Sequence, residues 1–197
     1  MRKYICISLA VFFSLAFYFS PAGAQSAKKA VLIIAQKDFQ DDEFGKPFNI
    51  LKENGFSVVV ASTTLGEATG TNGAKVKPQV LVKNVRADDF DAVVFIGGPG
   101  AAQYLQDPVA YKLAQDAVEK NKILGGICLA PEILANAGVL KDKKATVYPS
   151  ESQILADKGA LYTGTAVEKD GNIITADGPQ SAEQFGQALK DALKGGA

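Results

Sequence analysis

Histidine and tryptophan are absent from the 197 residues, and methionine occurs once. The missing histidine has the sharpest consequence. No Ser-His-Asp or Cys-His pair can be assembled within the chain, nor any zinc or iron site built on imidazole ligands. Cysteine is scarce, with only Cys6 and Cys128. No charge sign is in excess either: 21 Lys and Arg stand against 21 Asp and Glu, so no basic surplus points to a nucleic-acid partner. What is present, 47% hydrophobic and 21% charged residues, is ordinary for a folded globular chain and excludes a disordered or collagen-like one.

The first residues read as an address. Arg2 and Lys3 supply positive charge, and Tyr4 to Phe19 is apolar except for Ser8 and Ser14. Ser20-Pro21 and Ala22-Gly23-Ala24 follow, which fits the small-x-small cleavage rule. The expectation is a signal peptide over 1–24 and a single domain over 25–197, exported to a periplasm or secreted, with no membrane attachment after cleavage. An uncleaved anchor is the alternative, but the run falls short of the roughly 18–20 apolar residues a span needs. Cys6 opens the apolar run where a lipoprotein cysteine would close it. Cleavage leaves Cys128 without a bridging partner. Such a thiol is either buried and inert or kept for its chemistry.

The remaining chain alternates strand-like and helix-like stretches. Ala30–Ala35, Phe56–Ala61, Asp91–Ile96 and Ile123–Ile127 are continuous apolar runs, the pattern of strands covered on both faces. Between them the sequence predicts a loop over Gln36–Gln40 and a helix from about Asp41 to Asn54, stopped by Gly55. A second helix opens at Pro108 behind the N-cap Asp107, and a third covers Ala130–Ala137. Lys75–Val82 reads as an exposed strand within a Gly- and Thr-rich stretch. Ala145–Tyr148, Ala160–Val167 and Asn172–Ala176 read as further strands, and Ser181–Leu193 as a closing helix. The pattern predicts an α/β fold, a doubly wound and mostly parallel sheet with helices on both faces. Such sheets bind ligands beyond the carboxyl ends of their strands.

Three features point to that end. In Gly125-Gly126-Ile127-Cys128-Leu129-Ala130-Pro131 a strand ends, one residue turns, and a helix begins, the arrangement of a nucleophile elbow with cysteine as the nucleophile. A helix start favours a thiolate over a thiol. A buried core cysteine is the plainer alternative. The loop Gly97-Gly98-Pro99-Gly100 follows another strand and suits an oxyanion-binding turn, since backbone N–H groups without side chains can face an anionic oxygen. As a dinucleotide fingerprint it is poor, with Pro99 in the turn and Gln103 at the last glycine position. Glu43 lies in the first turn of the first helix. Beside a thiolate its pKa should rise, leaving a protonated carboxyl able to donate or shuttle a proton; alone it would read as a solvated helix-start carboxylate.

The ordered recurrence of Asp38-Phe39-Gln40-Asp41-Asp42-Glu43, Ile96-Gly97-Gly98, Gly126-Ile127-Cys128, Tyr148-Pro149, Asp170 to Ala176 and Gly178-Pro179 resembles the DJ-1/PfpI family, of the class I glutamine-amidotransferase-like superfamily, across the whole chain after the leader. The resemblance implies a flavodoxin-like fold and a homodimer. It also implies Cys128 as nucleophile, Glu43 as its carboxyl partner, and an anion pocket of backbone N–H groups around Gly97, Gly98 and Leu129. Members credited with peptidase activity carry histidine directly after the cysteine, where this chain has Leu129, so a peptidase is disfavoured. Glyoxalase-like members often carry histidine where this chain has Tyr148. Tyr148 can donate a hydrogen bond to substrate or simply pack its ring over the cleft, and a phenol is a poor base at neutral pH.

Two functions stay open. One is a cysteine-dependent glyoxalase or deglycase acting on small aldehydes or glycated groups, with no cofactor. The other is a non-catalytic redox sensor or protective holdase that works by oxidation of Cys128. No metal is expected, since one cysteine and no histidine leave only carboxylate sites.

Overall fold

The computed structural model describes residues 27–195; the expected signal peptide lies outside the described residues. In chain order these contain β1 (Lys29–Ile33), β2 (Lys37–Phe39), α1 (Asp41–Glu53), β3 (Ser57–Ser62), β4 (Ala68–Gly70), β5 (Lys75–Val76), β6 (Val80–Leu81) and β7 (Ala92–Phe95). There follow α2 (Pro108–Glu119), β8 (Ile123–Ile127), α3 (Ala130–Asn136), β9 (Lys144–Ala145), α4 (Ser152–Asp157), β10 (Leu161–Tyr162), β11 (Val167–Asp170), β12 (Ile173–Ala176) and α5 (Ala182–Leu193). No described helix is long and apolar enough to cross a membrane.

Seven strands form the central sheet in the order β11-β12-β8-β7-β1-β3-β6. Every neighbouring pair is parallel except the edge pair β11–β12. The apolar runs follow from this architecture, because both faces are covered. Along β1 and just beyond it, Val31 and Ile33 join one core with Leu113 and Ala117 of α2 and Ile133 and Leu134 of α3. Ala30, Leu32 and Ile34 join the other, with Phe44 and Leu51 of α1 and Phe185 and Leu189 of α5. The two helices of that second face meet closely. A Cβ on Gly186 of α5 would lie 3.0 Å from Pro47 Cα and 2.7 Å from Ile50 Cδ1 of α1.

The chain winds outward from β1 in both directions, to β3 and β6 on one side and to β7, β8 and β12 on the other. The winding reverses between β1 and β7, and loops leaving neighbouring parallel strands there diverge and open a crevice.

The doubly wound sheet of the sequence reading is present, but several peripheral elements differ from it. Pro78 cannot donate to a ladder, and the expected strand Lys75–Val82 is two short ones: β5 pairs with β4 in a small sheet and β6 with β3 in the main one. Ala160–Val167 is likewise divided, with β10 pairing with β9 and the antiparallel β11 beginning at Val167. Lys37–Phe39, expected as loop, is a strand paired with β4. Helix α4 lies in a stretch to which the sequence reading assigns no element.

Candidate active site

Cys128 follows the last residue of β8 and has a φ of +61°. Side chains with a Cβ rarely take that conformation, and such residues persist where the surroundings over-determine them. Here the Cys128 N–H donates to the Ala176 carbonyl at 2.9 Å, and its own carbonyl accepts from the Tyr148 N–H at 3.0 Å. Both neighbouring segments thus grip the elbow. The residue is buried, 7% exposed, and lines the cavity at the strand ends.

Glu43 reaches the same place from the first turn of α1. It is fully buried, and neither carboxyl oxygen has a hydrogen-bond partner of ordinary geometry. The glycine loop after β7 packs against both groups. A Cβ on Gly97 would stand 2.6 Å from Glu43 Oε2, 2.6 Å from the Ile127 carbonyl oxygen and 2.7 Å from Cys128 Cβ. Only a residue without a side chain fits there. Gly98, at φ +95°, is pressed against β2 and the start of α1: its Cβ would lie 2.5 Å from the Gln40 nitrogen and 2.6 Å from the Asp38 carbonyl oxygen.

Burial is the main influence on both acids. It pushes the Glu43 carboxyl up to about 7, helped by the charge of Asp42, while the Cys128 thiol and the Gly97 N–H pull it back only in part. The Cys128 thiol is pushed up to about 12, first by burial and then by the negative charge of Glu43; the N–H groups of Gly98 and Leu129 oppose this. The sequence reading anticipated the direction for Glu43, though desolvation and not the thiolate is the chief cause. For Cys128 the helix start alone does not win. The two groups share one charge: the first proton leaves the pair near neutrality, and a second negative charge beside it is strongly disfavoured. A thiolate at this site is therefore paired with a protonated Glu43.

Above Cys128 lies a cavity of about 290 Å³ walled by Gln40, Gly98, Pro99, Leu129, Tyr148 and Pro179. A hollow of similar size at the opposite strand ends, beside Lys122, Lys143 and Asp170, contains no cysteine. Cys128, Glu43, Tyr148, Gly97, Gly98 and Leu129, all named from the sequence, thus converge on one crevice at the carboxyl ends of β1, β7 and β8. Tyr148 stands at its mouth, 41% exposed, with its ring edge 3.4 Å from where a Cβ on Gly178 would sit. No group of three or more Cys, Asp or Glu suited to a metal occurs among the described residues.

The model of the DJ-1/PfpI family matches residues 28–192. The chain belongs to the DJ-1/PfpI family. An uncharacterised protein of Methanocaldococcus jannaschii is 41% identical over 169 residues, covering 84% of this chain and 82% of that protein. A Pyrococcus abyssi protein named as a deglycase is 33% identical over 149 residues, 76% of this chain and 90% of its own. Among solved structures, the ThiJ/PfpI domain protein of Brachyspira murdochii aligns with a TM-score of 0.84 at 30% identity, covering 86% of this chain and 98% of the other.

Within this DJ-1/PfpI domain, the sequence reading places Gln40 in a connecting loop and in the recurring segment before Glu43, but assigns it no role. Gln40 is the N-cap of α1, and its side chain accepts from the Glu43 N–H at 2.8 Å. Its position just before three acidic residues was the available signal.

Proposed function

We propose that this protein is an exported, cofactor-free enzyme of the glyoxalase or deglycase kind, using Cys128 to attack small aldehydes or glycated groups. The observation that carries this reading is the buried, unpartnered Glu43 carboxyl held against a thiol at a positive-φ elbow. A carboxyl titrating near 7 can both give and take a proton at neutral pH. The names of relatives such as the Pyrococcus deglycase support the same class.

With methylglyoxal, the Cys128 thiolate, its proton already on Glu43, forms a bond to the aldehyde carbon while the carbonyl π pair moves to oxygen. Protonated Glu43 supplies the proton, giving a neutral hemithioacetal and a carboxylate. That carboxylate then takes the proton from the former aldehyde carbon, and its return to the neighbouring carbon, with the hydroxyl proton passing to the neighbouring oxygen, yields a lactoyl thioester. Water releases lactate and restores the thiol. The N–H groups of Gly98 and Leu129 already face the sulfur and are the candidate donors to the oxyanion.

A second reading shares this geometry. A protonated carboxyl and two N–H groups around one sulfur also suit a sulfinate, formed from the thiolate by two equivalents of peroxide with release of two waters.

Methylglyoxal consumption and lactate formation by reduced protein, beside Cys128→Ser and Glu43→Gln, test the proposal. The expected result is turnover in the parent chain and none in either variant. No turnover, together with a clean gain of two oxygens on Cys128 under mild peroxide, overturns it in favour of the sensor. Cys128-dependent casein hydrolysis in place of lactate formation overturns it in favour of a peptidase.

A further inference from the structure

The geometry points to Gln40 as a substrate-positioning residue whose side-chain amide donates to the second oxygen of an uncharged α-oxo aldehyde bound at Cys128. This rests on the reading of Cys128 as a nucleophile towards carbonyl carbon.

The Glu43 N–H can only donate, so the Gln40 atom facing it at 2.8 Å must be the amide oxygen. The other arm of the fork is then the NH₂ group, and among the described residues nothing accepts from it. The backbone beneath is fixed as well. The Gln40 N–H donates to the Gly97 carbonyl at 3.1 Å, and Gly98 packs against the same nitrogen. Side chain and main chain together therefore aim one amide group from a rigid base, on a residue that walls the Cys128 cavity.

The length of the side chain supports a second use. Ser, Asp or Asn caps a helix with fewer rotatable bonds and is the usual choice. Glutamine carries an N–H donor past the cap. The rest of the cavity wall offers little else: Pro99, Pro179 and Leu129 are apolar, and Tyr148 supplies the one other side-chain donor. No positively charged side chain is among the lining residues. A neutral amide beside apolar walls suits a neutral carbonyl oxygen better than a carboxylate or a phosphate, which would be buried without a counter-charge.

The test uses Gln40→Ser, which retains a cap acceptor and loses the donor, and Gln40→Glu, which keeps length and acceptor but lacks the N–H. Methylglyoxal carries the second oxygen, and propanal does not. Each aldehyde is titrated for its ability to protect Cys128 from iodoacetamide, a readout that needs no turnover; KM and kcat for methylglyoxal are measured alongside. Measured against a small free thiol, the advantage of methylglyoxal over propanal should be about tenfold larger in the parent chain, and both variants should remove that tenfold excess. The expectation is a KM about tenfold higher with kcat little changed, a difference of about 1.4 kcal/mol. Using the ratio cancels any change in the intrinsic reactivity of the thiol. An unchanged ratio in the variants overturns the inference, and so does equal loss of protection by both aldehydes, which marks a disturbed cap. Protection of the parent chain by neither aldehyde removes the carbonyl chemistry itself, and Gln40 falls with it.

Discussion

A carboxyl and a thiol forced to share one negative charge behave as a single acid with two widely separated steps. The rate of Cys128 alkylation by iodoacetamide should rise with pH through about 7, flatten, and rise again only in strong alkali, following the directions set by burial and by Glu43. In Glu43→Gln the first step disappears, and the thiol titrates alone in the alkaline range. A profile with one inflection near the ordinary thiol value in both proteins would rule the pairing out. The same residue sets a stability slope. Its folded pKa of about 7 lies above the ordinary carboxyl value of 4.5, so its contribution is intact below about pH 4.5 and is lost as pH rises through 7. Relative to Glu43→Gln, the parent chain should lose about 3 kcal/mol over that interval, as urea unfolding at several pH values would measure. This part of the site was partly legible in the sequence. Cysteine between a strand and a helix, and an acid in a first turn, are visible in the residue order. Complete burial of Glu43 without a partner is not, because it depends on which loops close over it.

At the scale of elements, the decisive contacts are made by loops that leave no room. Gly97 packs against both Glu43 and Cys128, so Gly97→Ala must push one of them aside. The expected cost is about 1–3 kcal/mol, read as a lowered melting temperature together with loss of the step near pH 7 in alkylation. Asp41 plays a structural part next door. Its carboxylate accepts from Thr71 Oγ1 at 3.1 Å, the Asn72 N–H at 2.8 Å and the Ala74 N–H at 2.7 Å, tying the β4–β5 turn to the start of α1. Those bonds hold its pKa below the usual carboxylate value against the opposing effect of burial. Asp41→Ala should cost about 1–3 kcal/mol and speed amide exchange in residues 70–76 ahead of the central strands; uniform exchange would show that the tie carries no local stability. Acids at this helix start are favoured by its dipole, and the loop-pinning role of Asp41 is hidden in the sequence because its partners lie about thirty residues away. Short, polar β2 and the six-residue α4 were invisible for a related reason. Neither is long enough to show a period, and each exists through its neighbours.

Across the whole molecule, the buried strands and the larger helices follow from apolar runs and stop signals, and these also give the parallel winding. The edges do not follow so directly: β10 and β11 divide one β-rich stretch, and only the partner strands β9 and β12 decide where each begins. The crevice itself is a product of topology, since Glu43, Gly97 and Cys128 come from three different strand-to-helix connections. That has a kinetic consequence. Long stretches of chain must close before these residues meet, and pairings distant in sequence form late and slowly. Cys128 is the sole cysteine in residues 25–197. A millisecond pulse of thiol label during refolding should therefore report the docking of β1, β7 and β8 and not the earlier formation of α1 or α5. Protection that arrives together with far-ultraviolet helix signal would show instead that the elbow forms locally, before the sheet that carries it.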